Sequence, residues 1–124
     1  LIDELRLKLE TKAFDEAMLY FNLKEYQSAT ITLNNMLKDF PDSQNAEKIR
    51  YFIVKSNYTL AENSVYSKKL ERYETTLIAA ELYLNKFSKT KDRREVDGIL
   101  KSTKQIIKNL EKDGYKDKST RDRS

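Results

Sequence analysis

"DFPDS" at residues 39–43 interrupts a chain that is almost free of helix breakers, and "KFSKT" at residues 86–90 stands in the same setting 47 positions later. Pro41 lacks an amide hydrogen and disfavours helical dihedrals at the residue before it, so a helix ends at Phe40. Asp42 and Ser43 can then accept hydrogen bonds from the free amides that open the next helix. The stretch is a stop followed by a start. Upstream of it, Tyr26, Ala29, Leu33, Met36, Leu37 and Phe40 fall at the three-and-four spacing of one helix face. Shifted by 47, Tyr26 falls on Tyr73, Ala29 on Thr76, Leu37 on Leu84, Phe40 on Phe87, Pro41 on Ser88 and Ser43 on Thr90. A stop that recurs together with its helix marks a repeat.

Two glycines and one proline leave little material for strand turns, while leucine, lysine, glutamate and alanine favour helix. The expected fold class is all-α. With 39% hydrophobic against 35% charged residues, the 124-residue chain suits thin layers of amphipathic helix in one domain. The absence of cysteine and histidine removes disulfides, thiol nucleophiles, the usual zinc ligand sets and histidine-based proton transfer. A chain without cysteine fits a reducing cytosol and equally an exported protein that needs no disulfide. No apolar run approaches the about 20 residues of a membrane span, and "LIDELRLKLE" is charged throughout, unlike a signal peptide. The start at Leu1 is read as that of a fragment or processed product.

Five helices are expected. In the first, Ile2, Leu5, Leu9, Ala13, Ala17 and Tyr20 form one stripe, and Phe14, Met18 and Phe21 form a second beside it. Two apolar stripes predict two neighbouring layers, one of them upstream of Leu1. The third helix presents Ala46, Ile49, Ile53, Ser56 and Leu60, with Phe52 alongside. "AENSVYSKK", residues 61–69, is small and polar and reads as an extended loop that lengthens the repeat beyond the usual 34 residues. The fourth helix turns Tyr73, Leu77, Ala80, Leu84 and Phe87 inward, and the fifth Val96, Ile99, Leu100, Thr103, Ile106, Ile107 and Leu110. Gly114 is placed to end that helix in a left-handed conformation, so the helical domain is expected over 1–113 and a disordered tail over 114–124.

Residues 13–46 resemble a tetratricopeptide repeat. Ala17, Tyr20, Tyr26, Ala29, Leu37 and Pro41 stand at the spacings of that family's small, aromatic, leucine and closing proline positions, and Tyr73, Leu84 and Phe87 carry the pattern into the second unit. The resemblance implies a solenoid of antiparallel helix pairs. Glu16 stands where leucine is common, Met36 replaces alanine, and the second unit lacks the proline. A narrower resemblance rests on "LIDELRLKLETKAFDEAMLYFNLKEYQSATITLNNMLKDFPDS" (1–43) and "IVKSNYTLAENSVYSKKLERYETTL" (53–77), above all "LAENS" followed by "SKKLERY". These stretches resemble the carboxy-terminal part of the BamD family, outer-membrane assembly lipoproteins of Gram-negative bacteria. That resemblance implies a non-enzymatic scaffold at the periplasmic face of the outer membrane. It would dock on BamA's periplasmic domains and other subunits of the assembly complex. It would touch the membrane only through a lipid anchor absent from this chain. A cytosolic tetratricopeptide adaptor binding a peptide or protein is the alternative.

No catalytic or metal-binding residue is singled out, and no cofactor is expected. The acidic neighbours Asp3 with Glu4 and Asp15 with Glu16 point apart on a helix, and glycines are too few for a phosphate loop. "NYT" at 57–59 matches a glycosylation acceptor but falls inside an expected helix, so chance is its expected source. The net charge of +4 is uneven: residues 1–85 sum to −2 and residues 86–112 to +5. Within the basic part, "KTKDRR" contributes Lys89, Lys91, Arg93 and Arg94, which could meet an acidic partner patch or simply be solvated. Aromatic residues do not interleave with it, so nucleic acid is not the expected partner despite a pI of about 9.1. Tyr51, Tyr58, Tyr66 and Tyr83 lie off the strict core stripes, whereas Tyr20, Tyr26 and Tyr73 are expected to fill the core. Tyr51, Lys55 and Tyr58 are candidates to line the concave face of the third helix for a protein partner.

Overall fold

The computed structural model describes residues 2–122, with side chains from residue 3 to residue 114. It contains α1 (Ile2–Asn22), α2 (Tyr26–Asp39), α3 (Ala46–Glu62), α4 (Tyr66–Lys86) and α5 (Arg93–Asp122). Each helix packs on the next in sequence, and α3 also touches α5. Short turns between packed neighbours make α1 with α2, and α3 with α4, antiparallel hairpins, and α5 opens a third layer. The chain is thus an all-α helical-repeat stack.

The repeat of 47 is visible at every level. α2 ends at Asp39 and α4 at Lys86, while α3 begins at Ala46 and α5 at Arg93. Phe40 leaves α2 at φ −130°, ψ 65°, its amide bonded to the Met36 carbonyl at 2.8 Å. Phe87 leaves α4 at φ −126°, ψ 97°, its amide on the Tyr83 carbonyl at 2.9 Å. Each phenylalanine rests on its own layer's core. Phe40 packs on Ala17, Leu33, Met36, Ile49 and Ile53. Phe87 packs on Tyr51, Val54, Ala80, Tyr83 and Val96. The pairs Ala29 and Thr76, Leu33 and Ala80, Met36 and Tyr83, Ile49 and Val96, and Ser56 and Thr103 all stand 47 apart, and all ten residues are buried. Even the Ser56 and Thr103 hydroxyls match, since neither has a hydrogen-bond partner.

At the corner after α2, Ser43 Oγ accepts the Asn45 amide at 2.9 Å within the turn, whereas the first amides of α3 receive no side-chain cap from Ser43 or the exposed Asp42, contrary to the expected capping. The turn between α1 and α2 closes differently. Glu25 N–H reaches the Tyr20 carbonyl at 2.9 Å and Lys24 N–H the Phe21 carbonyl at 3.0 Å, with Lys24 left-handed at φ 63°. This is a Schellman closure with lysine at the position glycine usually fills.

Three further expectations are corrected. The stretch 61–69 is not an extended loop: Asn63, Ser64 and Val65 make a three-residue turn, and the added length is helix. α4 has 21 residues against 14 in α2, two further turns. The polar residues that suggested a loop close helix ends instead. Ser64 Oγ donates to the Leu60 carbonyl at 2.6 Å, Lys69 Nζ to the Glu62 carbonyl at 2.8 Å, and Arg72 Nη1 to Ser64 Oγ at 2.6 Å. Gly114 does not end α5, which continues to Asp122, and no described glycine has positive φ. The tail expected to be disordered over 114–124 lies, beyond Gly114, outside the described side chains, and Arg123 and Ser124 lie outside the described residues altogether.

Tyr83 is core rather than off it, with no exposed surface at all. The first stripe expected on α1 divides: Leu5 and Leu9 are 60% and 51% exposed, on the side expected to face a further layer, while Ala13 and Ala17 turn to the core. The inward face is Glu10, Ala13, Phe14, Ala17, Met18 and Phe21. Phe14 and Phe21 meet the edge of Phe52 on α3 at centroid distances of 6.1 and 5.4 Å. Glu10 is tolerated there because Ser43 Oγ and, at 3.4 Å, Asn45 Nδ2 donate to its carboxylate.

Candidate functional site

The residues singled out on α3 lie along its seam with α5. Tyr51 Oη donates to Glu95 Oε2 at 2.8 Å, and Lys55 Nζ donates to Tyr51 Oη at 3.2 Å and pairs with Glu95 at 3.4 Å. One turn before, Lys48 Nζ pairs with Asp92 at 2.8 Å, and two turns after, Tyr58 Oη and Ser102 Oγ are 3.0 Å apart. Three of these contacts join residues 44 apart, which is the register of two parallel helices. The Tyr51 ring lies under both cations, with Lys48 Nζ at 5.4 Å and Lys55 Nζ at 5.6 Å from its centroid.

The electrostatics follow from these contacts. Burial, then donation to Glu95, pushes the Tyr51 phenol up. Lys55 is raised by its bond to Tyr51, and Lys48 by its bond to Asp92. Lys48 in turn holds the Asp92 carboxyl below the usual carboxylate range. The stabilisation tied to Asp92 is therefore present above its ordinary pKa and fades as pH falls through the depressed value. With the Lys48 side chain 49% exposed, this pair contributes at most a surface bridge's modest amount.

Tyr51 is thus committed to α5, whereas Lys55 and Tyr58 keep part of their surface. Tyr58 also meets the edge of Tyr73 at 6.0 Å. The seam is polar on α3 and α5 but aromatic between α1 and α3, so one face of the stack changes character from layer to layer.

The basic cluster divides. Lys89, Lys91 and Arg94 are exposed. Arg93 turns back and donates from Nη1 to the Leu84 carbonyl at 3.0 Å and the Phe87 carbonyl at 2.8 Å, closing the end of α4. Replacing Arg93 by alanine should therefore cost about 1–3 kcal/mol in urea unfolding, against about 0.5 kcal/mol or less for Arg94→Ala. Equal losses would place Arg93 with the surface cations.

A groove between α2 and α4, floored by α3, escaped the sequence reading. Its space of about 170 Å³ is bordered by Leu37, Arg50, Ile53, Asn57, Ile78 and Leu82. Ile78 and Ile31, 47 apart, are 60% and 56% exposed. Of the two only Ile78 borders the groove, and both residues fall outside the inward stripes, so the apolar spacing gave no signal for it. Among the described residues no group of three acidic, histidine or cysteine side chains could hold a metal ion, and no helix is long and apolar enough to cross a membrane. No protein-family model matches the chain, and no curated protein matches it significantly.

Proposed function

We propose that this chain is a non-enzymatic scaffold, a length of helical repeat that docks on a protein partner. The observation that carries the reading is the 47-residue repeat, with matched residues in matched surroundings on both layers. Stacked helix pairs of this kind present long continuous faces to other proteins. In its narrower form the reading is a scaffold similar to the BamD family, at the periplasmic face of the outer membrane. Its partners would be the periplasmic domains of BamA and other subunits of the β-barrel assembly machinery. Membrane attachment would come only through a lipid anchor outside this chain. Support for this form comes from the quoted sequence stretches alone, with "LAENS" and "SKKLERY" now seen as the caps of the α3–α4 turn.

Titration calorimetry of the chain against purified BamA periplasmic domains tests the narrow form. One-to-one binding is expected, weakened about tenfold by Tyr58→Ala at unchanged helicity. An absence of binding heat at all concentrations removes the BamD-like reading and leaves the general adaptor, for which the start of the gene is the discriminating observation. An export signal ending in a lipidation cysteine favours the periplasmic scaffold, and a plain methionine start favours a cytoplasmic adaptor.

A further inference from the structure

The outer face of α1 is an uncovered apolar surface, continued past the helix end by Leu23, whose amide still bonds to the Leu19 carbonyl at 3.0 Å. Leu5, Leu9, Leu19 and Leu23 are 60%, 51%, 57% and 61% exposed. With exposed Lys12 and Glu16 between them, they fall at spacings of four, three, four, three and four. That is a heptad seam, and on an α-helix all six positions lie within about 40° of a single line. Lys12 has no hydrogen-bond or ion-pair partner among the described residues, and Glu16 has one long contact, 3.4 Å from Tyr20 Oη.

The order of the stripe is Leu, Leu, Lys, Glu, Leu, Leu, and it is its own complement when reversed about residue 14. We propose that this face of α1 pairs antiparallel with the same face of a second copy of the chain. Leu5 then meets the partner's Leu23, Leu9 meets the partner's Leu19, and Lys12 meets the partner's Glu16, each contact occurring twice about a two-fold axis. Such a contact is closed and self-complementary, the commonest form of homodimer. The charges fix the direction. Run parallel, the two copies would set Lys12 on the partner's Lys12 and Glu16 on the partner's Glu16, and a shift by one heptad would put charge on leucine. The sequence alone assigns this face to a further helical layer. A neighbour of unrelated sequence, however, gives no reason for a stripe that matches itself end to end. The inference does not rest on the scaffold reading.

From Leu5 to Leu23 the seam is about 27 Å long, so the interface falls below roughly 1,200 Å² and the affinity in about the micromolar range. Sedimentation equilibrium of the 124-residue chain from about 1 to 100 µM should show a mass rising from 14.6 kDa towards twice that value. Lys12→Glu alone and Glu16→Lys alone should each weaken association at least about tenfold, because both place like charges face to face. Mixing these two variants should restore a dimer, as should Lys12→Glu with Glu16→Lys in one chain. Both sites are exposed, and circular dichroism verifies that each variant keeps its helix content. A monomer throughout the range overturns the proposal and returns the face to another layer. So does a dimer indifferent to the single charge changes, or one that neither the mixture nor the double variant recovers.

Discussion

Replacing Tyr83 by alanine should remove about 3–5 kcal/mol of stability, a large share of the roughly 5–15 kcal/mol that folded proteins possess. The side chain is wholly buried on α4 between α3 and α5, with its ring 5.1 Å from that of Phe87. Its hydroxyl donates to Glu47 Oε2 at 2.6 Å, and Thr90 Oγ1 lies 2.6 Å to the other side. The ring fills the second layer, and the hydroxyl ties the corner between α4 and α5 to α3. Tyr83→Phe keeps the first role and loses the second, at about 1.5–3 kcal/mol for a bond to a charged acceptor.

Titration separates the two roles. Burial and the bond to Glu47 push the Tyr83 pKa up to about 12 from an ordinary value of 10.0. A folded-state value above the unfolded one favours the neutral phenol. Its contribution is intact below pH 10 and is lost as pH rises towards 12, an amount of about 2–3 kcal/mol. Unfolding midpoints measured across this window should fall more steeply for the natural chain than for Tyr83→Phe. Parallel curves would mean that the phenol is solvated. Tyr51 and Tyr73 shift in the same direction and give Tyr83→Phe a residual slope.

Leu33→Ala should cost about 2–5 kcal/mol, since Leu33 is wholly enclosed in the first layer by Ala17, Met36, Ile49 and Ile53. The second layer contains a natural solution to the same vacancy. There the matched pair is Ala80 with Tyr83 instead of Leu33 with Met36, a small residue beside a large one. Adding Met36→Tyr to Leu33→Ala should therefore recover part of the loss in thermal or urea unfolding. A double variant no more stable than Leu33→Ala alone would show that the two layers enclose differently shaped spaces.

Local pattern carried most of the architecture. Proline, the apolar stripes and the 47-residue offset were enough to foresee five helices and the corner at Phe40 with its echo at Phe87. What local pattern could not carry was the number of neighbours each helix has. α4 packs on both α3 and α5, so its buried face widens past one stripe to take in Thr76 and Tyr83. α3 is enclosed further still, and Val54, Asn57 and Ala61 join the expected Ile49, Ile53 and Ser56. α1 has fewer neighbours, and its leucines stay in solvent. Polar residues near a helix end are ambiguous in sequence, because serine, asparagine and lysine serve a long loop and a tight cap equally well. The difference at 61–69 is made by Arg72 and Lys69, a full turn or more into the next helix. The seam between α3 and α5 is the least legible part, since contacts 44 residues apart leave no local periodicity. Arg93 likewise reads as one cation among four until the end of α4 is beside it.

The two extra turns of α4 have a geometric outcome. Hairpins of equal length would give the stack a level rim, but the second tier overhangs the first by up to about 11 Å where its chain reverses. Val65 and Tyr66, 66% and 52% exposed, stand on that step. The edge of the molecule therefore has a tooth, and anything laid across it meets a high side and a low side. Orientation is set by shape before any charge is matched.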